Sequence, residues 1–157
     1  MKIGIIVFTK TGNTLSVVEK IKEKLAAAGN EAVIEKIELT SGDNDMDAKS
    51  ISFGPLPDLG TYDSLIFASP VRAFNLAPAM KAYFAKVNEI KSAKTACFVT
   101  HHFPYNWMGA SGAIAQMKAL INARGGDVAA TGIVDWSNKK REQQIDGLVE
   151  KIYLLYS

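Results

Sequence analysis

An open α/β fold, with a parallel sheet covered by helices on both faces, is predicted by three observations along the 157-residue chain. Short apolar runs without alternation recur, the pattern of strands buried on both faces. Each run leads through a loop into a stretch whose apolar residues fall at helical spacing. Strand and helix alternate regularly, and right-handed crossovers carry each helix back over the sheet. The length suits one unit, so residues 1–157 are expected to form a single domain.

The first run, residues 3–8, is continuously apolar and closes on a Gly-Asn turn, which places it at the centre of the sheet. Beyond it Leu15, Val18, Ile21, Leu25 and Ala28 recur at helical spacing, with Glu19, Lys20, Lys22, Glu23 and Lys24 between them, until Gly29 stops the pattern. Residues 32–37 read as a shorter strand. Residues 38–60 are rich in Gly, Pro, Asp and Ser and show no period; they read as a long connection with room for a short helical piece. Residues 64–69 form the next strand, ended by Pro70 and a loop through Leu76, before a helix over about 77–87 with Met80, Tyr83 and Phe84 inward. Residues 95–100 are a fourth strand and 101–109 an aromatic-rich loop. A helix over 111–123 then turns Ile114, Met117, Leu120 and Ile121 to one side and stops at Gly125-Gly126. Residues 127–134 are the fifth strand. The last helix carries the stripe Ile145, Leu148, Val149, Ile152 and Leu155 opposite Lys139, Arg141 and Glu150, giving five strands and four helices.

Composition removes several function classes. A hydrophobic fraction of 48% and a charged fraction of 22% are ordinary for a globular protein. No apolar run approaches the roughly 20 residues of a membrane span, and residues 3–8 are too short for a signal peptide, so a cytoplasmic address is expected. The net charge of +2 comes from scattered Lys and Arg, without the basic stripe that nucleic acid requires. The lone Cys97 sits in an apolar stretch and is expected to be a buried, inert thiol. His101 and His102 are adjacent rather than helically spaced, so no metal site is predicted.

In an open α/β sheet, ligands lie beyond the carboxyl ends of the strands where strand order reverses. Three loops would build such a site: 9–14, 70–76 and 101–109. The first has the chemistry of a phosphate cradle. A phosphate needs several donors converging on its oxygens; a tight loop opening a helix supplies backbone N–H groups, and Thr9, Thr11, Asn13 and Thr14 add side-chain donors. Gly12 permits close backbone approach. Lys10 can add a charge contact but is expected to point to water. A solvated turn with threonine caps would need one hydroxyl rather than three.

The string Thr9-Lys10-Thr11-Gly12-Asn13-Thr14 resembles the phosphate loop of the flavodoxin-like family, Ser/Thr-x-Thr-Gly-x-Thr, at every position. The resemblance continues through Pro57-Asp58-Leu59 and residues 62–70, and it covers nearly the whole chain in the family's short-chain form. It implies a doubly wound five-stranded parallel sheet of order 2-1-3-4-5, non-covalently bound FMN, and electron transfer. It also implies that the segments after the third and fourth strands wrap the isoalloxazine ring. By position these are Ser69, Pro70, Val71, Arg72, Ala73, Phe74 and Asn75, then Thr100, His101, His102, Phe103, Tyr105, Trp107 and Gly109. Phe74, Phe103, Tyr105 and Trp107 are the stacking candidates, with loop packing or partner contact as the plain alternative. Pro70-x-Arg72-x-Phe74-Asn75 is similar, more loosely, to the quinone-reductase branch of the same superfamily.

The chain departs from acidic flavodoxins. Arg72, His101 and His102 stand in the second and third loops, where no acidic residue occurs, so a less negative flavin potential is expected. The two histidines read either as ordinary hydrogen-bonding loop residues or as proton donors. No residue is assigned a catalytic role, because flavin chemistry belongs to the cofactor. Three functions remain open: an electron shuttle that docks transiently with redox proteins, an NAD(P)H-dependent reductase of a quinone or similar small acceptor, and a flavin-free binding module. A phospho-receiver would need an Asp where the chain has Ser69 and an acidic pair where it has Thr9-Lys10.

Overall fold

A computed structural model describes residues 1–42, 46–91 and 94–157. The elements run β1 (Lys2–Val7), α1 (Asn13–Ala27), β2 (Glu31–Lys36), β3 (Ser64–Arg72), β4 (Asn75–Leu76), α2 (Pro78–Lys86), β5 (Thr95–His101), α3 (Ala110–Ala123), β6 (Val128–Asp135) and α4 (Arg141–Tyr156). The sheet order is β2-β1-β3-β5-β6, parallel at every junction, while β4 pairs antiparallel with β3. The five parallel strands therefore follow the expected order, and β4 is an addition to it. Two short 3-10 turns, Ala48–Ser50 and Leu59–Thr61, lie in the long connection before β3.

The unbroken apolar runs are explained by burial on two sides. Along β1, Ile3, Ile5 and Val7 pack with Val17, Val18, Ile21 and Leu25 of α1 and with Ile145, Leu148 and Ile152 of α4. Ile6, with Leu65 and Phe67 of β3 and Cys97 and Val99 of β5, meets Met80, Tyr83 and Phe84 of α2 and Ala113, Met117 and Ile121 of α3 on the other side. On α1, Val17 is buried and Leu15 only partly so, because the inward stripe is wider than a single row.

Two expectations need correction. The third strand does not end at Ser69: it continues through Pro70 to Arg72 and folds back as β4. The reason lies in strand parity. Ala68 accepts a hydrogen bond from Phe8 N–H at 3.1 Å and so faces β1; Pro70, two residues on, faces the same way. Its missing N–H ends the ladder with β1 without disturbing the pairing with Thr100 on β5. The second correction concerns His101, placed in the loop by the sequence but in fact the buried last residue of β5.

Gly4 permits a close approach on β1. The ring of Tyr62 lies over it, so a Cβ there would fall 2.7 Å from Tyr62 Cδ2. Tyr62 OH donates to Glu35 Oε1 at 2.6 Å, tying the end of the long connection to β2. Burial, reinforced by Glu35, pushes the Tyr62 phenol up to about 12. Among the described residues no helix is long and apolar enough to cross a membrane, and no group of three or more His, Cys, Asp or Glu could hold a metal.

Two predictions follow from this packing. Gly4→Ala must displace the Tyr62 ring and should cost about 1–3 kcal/mol in denaturant unfolding, with the Tyr62–Glu35 bond lost. Cys97 is fully buried and its thiol is pushed up to about 12 by burial. A chromogenic disulfide reagent should leave the native protein unlabelled and titrate its single thiol in urea.

Candidate functional site

Where β1 and β3 part, the chain leaves β1 through residues 9–12 and enters α1. Gly12 holds a left-handed φ of 93° at the helix N-cap, and its N–H donates to Thr9 Oγ1 at 3.1 Å. Thr9 thus shapes the loop from within. No side chain caps α1 and no acidic residue lies in its first turn, so its first-turn amides and the positive end of its dipole are left for an external anion. Thr14 Oγ1 meets Thr100 Oγ1 of β5 at 2.8 Å, a buried pair. If Thr100 donates, the Thr14 proton remains for the cleft.

The second loop is a tight hairpin. Val71 pairs with Leu76 and Arg72 with Asn75, leaving only Ala73 and Phe74 in the turn. Their φ values are 48° and 63°, the left-handed pair of a type I′ connection that ordinarily uses Asn and Gly. Non-glycine residues there carry about 1–2 kcal/mol of strain each. The surroundings hold the turn. Leu76 N–H donates to Gln116 Oε1 at 3.2 Å, and Gln116 Nε2 donates to Asn75 Oδ1 at 3.0 Å. Gly109, with φ 106°, lets α3 start against the turn: a Cβ there would lie 2.6 Å from Phe74 Cα. Phe74 also stacks on Phe103 of the third loop, centroids 4.8 Å apart.

The third loop, residues 102–109, is tied at both ends. His101 Nε2 meets Asn106 Oδ1 at 3.2 Å, and His101 Nδ1 is buried with no partner among the described residues. His102 is exposed, its Nε2 3.2 Å from Asn13 Nδ2, which joins the third loop to the first. Tyr105 and Trp107 lie nearly parallel, 8° between planes and 6.0 Å between centroids. With exposures of 53% for Phe74, 40% for Phe103, 58% for Tyr105 and 77% for Trp107, all four aromatics present surface to solvent.

Between these loops lies a cleft of about 360 Å³, lined by Lys10, Thr11, Asn13, Thr14, Pro70, Val71, Arg72, Ala73, Thr100 and His102. Among the described residues no carboxylate lines it. The remaining predicted residues stand elsewhere. Thr9 and Gly12 shape the first loop, while Ser69 is buried with its hydroxyl donating to Pro70 O at 3.0 Å. Asn75 is engaged by Gln116, His101 lies beneath the loop, and Gly109 backs Phe74. Phe74, Phe103, Tyr105 and Trp107 belong to the two loops beside the cleft rather than to its lining. Sequence reasoning missed Gln116, since a polar residue on a helix surface carries no signal of a loop contact. A hydroxyl-rich cradle at an open helix N-terminus suits a phosphate, and the neighbouring aromatics suit a flat ring.

No family model matches the sequence, and no curated protein matches it. Solved structures do. Flavodoxin 2 from Bacillus cereus has a TM-score of 0.70 at 20% identity, with 100% of each chain covered. A Fusobacterium nucleatum flavodoxin bound to flavin mononucleotide has a TM-score of 0.67 at 15% identity, with 98% of each chain covered. A Lactobacillus acidophilus flavoprotein in complex with FMN has a TM-score of 0.65 at 15% identity, covering 94% of this chain and 97% of that one. At such identities the likeness speaks for architecture alone, and on that evidence this chain has the flavodoxin-like fold.

Proposed function

We propose that the protein binds FMN in the cleft between its three carboxyl-edge loops and serves electron transfer. One observation carries the reading: the open N-terminus of α1, under the threonine loop, lies at the point where β1 and β3 diverge and opens into the cleft. The flavodoxin and flavoprotein structures of the same fold that hold FMN support it.

In this reading the first-turn amides of α1, with Thr11, Asn13 and Thr14, hold the phosphate, and Lys10 adds charge at the rim. Val71, Arg72 and Ala73 provide one wall for the ring, with Phe74, Phe103, Tyr105 and Trp107 available to cover it. Bound FMN supplies one- and two-electron chemistry at its ring; the protein positions it and limits its contact with water. The partner is then a redox protein met transiently, and the protein acts as a single domain in the cytoplasm. The exposed Tyr105–Trp107 pair favours a second reading, a reductase in which an aromatic face receives NAD(P)H. Steady-state oxidation of NADH or NADPH with a quinone acceptor separates the two.

Titration of FMN and riboflavin, followed by flavin fluorescence, tests the site. FMN should bind at least about tenfold more tightly than riboflavin, and Thr11→Ala should weaken FMN by roughly tenfold while leaving riboflavin unchanged. Equal affinities would remove the phosphate assignment. The cations Lys10 and Arg72 in the cleft lining set a second expectation: a midpoint potential for bound FMN less negative than that of acidic flavodoxins. Arg72→Glu should lower it by roughly 30–60 mV, as potentiometric titration would register.

A further inference from the structure

We propose that Gln116 is a positioning residue for the cleft: its side-chain amide clamps the β3–β4 hairpin in a turn its own residues disfavour, presetting the Val71–Ala73 wall. The effect on binding rests on the flavin reading above; the clamp itself does not.

The need for a clamp follows from the chain. A two-residue loop with positive φ at both positions suits Asn-Gly, whereas Ala73 and Phe74 each bring a Cβ that disfavours it. Left alone, these residues would return to negative φ, and the wall they carry would move with them. Gly109 and Phe103 pack against Phe74 but supply no directional bond. Gln116 supplies two. Its Oε1 accepts from Leu76 N–H, whose residue is fully buried, and its Nε2 donates to Asn75 Oδ1. Leu76 N–H thereby has a partner on the side away from β3, where the short strand is otherwise an edge. Gln116 also stands on a fixed base, because α3 buries Ala113, Met117 and Ile121 in the core beneath it.

Neither Gln116 nor Asn75 lines the cleft, while Val71, Arg72 and Ala73 do. Loss of the clamp therefore acts through the hairpin and on the ring, and the phosphate cradle on α1 is untouched. Glycine at position 73 removes one of the two penalties that make the clamp necessary. That gives a rescue that general destabilisation would not produce.

The test compares Gln116→Leu, Ala73→Gly and the double variant, with FMN and riboflavin affinities and the hydrogen-exchange rate of the residue-75 amide, which closes the Arg72–Asn75 pair, in flavin-free protein as readouts. Gln116→Leu should accelerate exchange of the residue-75 amide and weaken FMN and riboflavin by the same factor, about tenfold. The double variant should return both readouts to within about threefold of Ala73→Gly alone, because Phe74 keeps its share of the strain. Asn75→Ala, which removes the exposed outer bond to Gln116 and the 3.5 Å bond from Asn75 Nδ2 to Ala73 O, should show the same pattern at smaller amplitude and serves if Gln116→Leu does not fold. Unchanged exchange in either variant overturns the clamp, as does a loss that glycine fails to rescue or one confined to FMN. If the wild-type protein binds neither flavin, the proposed function fails, and exchange with its glycine rescue decides the clamp alone.

Discussion

Two central strands that pair along most of their length must separate before anything can bind between them. In this protein the separation is imposed by a missing hydrogen. Pro70 faces β1 with no N–H to donate, so the ladder stops after Ala68 while β3 continues on its other side beside β5. The chain leaving β1 is then released to form the threonine loop, and β3 is released to turn back as a hairpin. The first two loops of the cleft are placed by that one break, and the third by the parallel pairing that keeps β5 beside β3.

Much of this architecture was legible in the residues. Strands buried on two faces are continuously apolar, and the runs at residues 3–8, 64–69 and 95–100 reported their own position in the sheet. The threonine loop was legible because it combines three hydroxyls, a glycine and a helix start in six residues. The hairpin was not. Ala73-Phe74 carries none of the turn chemistry that marks a two-residue connection, since its conformation is held by neighbours distant in sequence. His101 was misplaced for a related reason: a polar residue next to a second histidine and an aromatic run resembles a loop, although its hydrogen bond to Asn106 lets it remain within the strand's buried end.

The cleft also shows how the fold divides its work between stiff and yielding parts. Its floor is built on the ends of β3 and β5 and on the start of α1, all anchored in the two core layers. Its rim consists of loops that meet through a few contacts, Asn13 with His102 and Phe74 with Phe103 and Gly109. Exposed aromatics on such a rim can reorient with little cost to the core, whereas the helix dipole and the threonine hydroxyls cannot leave.

The hydroxyl pair of Thr14 and Thr100 has a consequence of its own. Either oxygen can donate to the other, so the bond between them can reverse by rotation of two protons while every heavy atom stays in place. In one sense of the bond the free O–H belongs to Thr14, in the other to Thr100, and both residues line the cleft. The wall between α1 and β5 therefore offers one donor proton whose place, on the helix or on the strand, can change while the shape of the pocket does not.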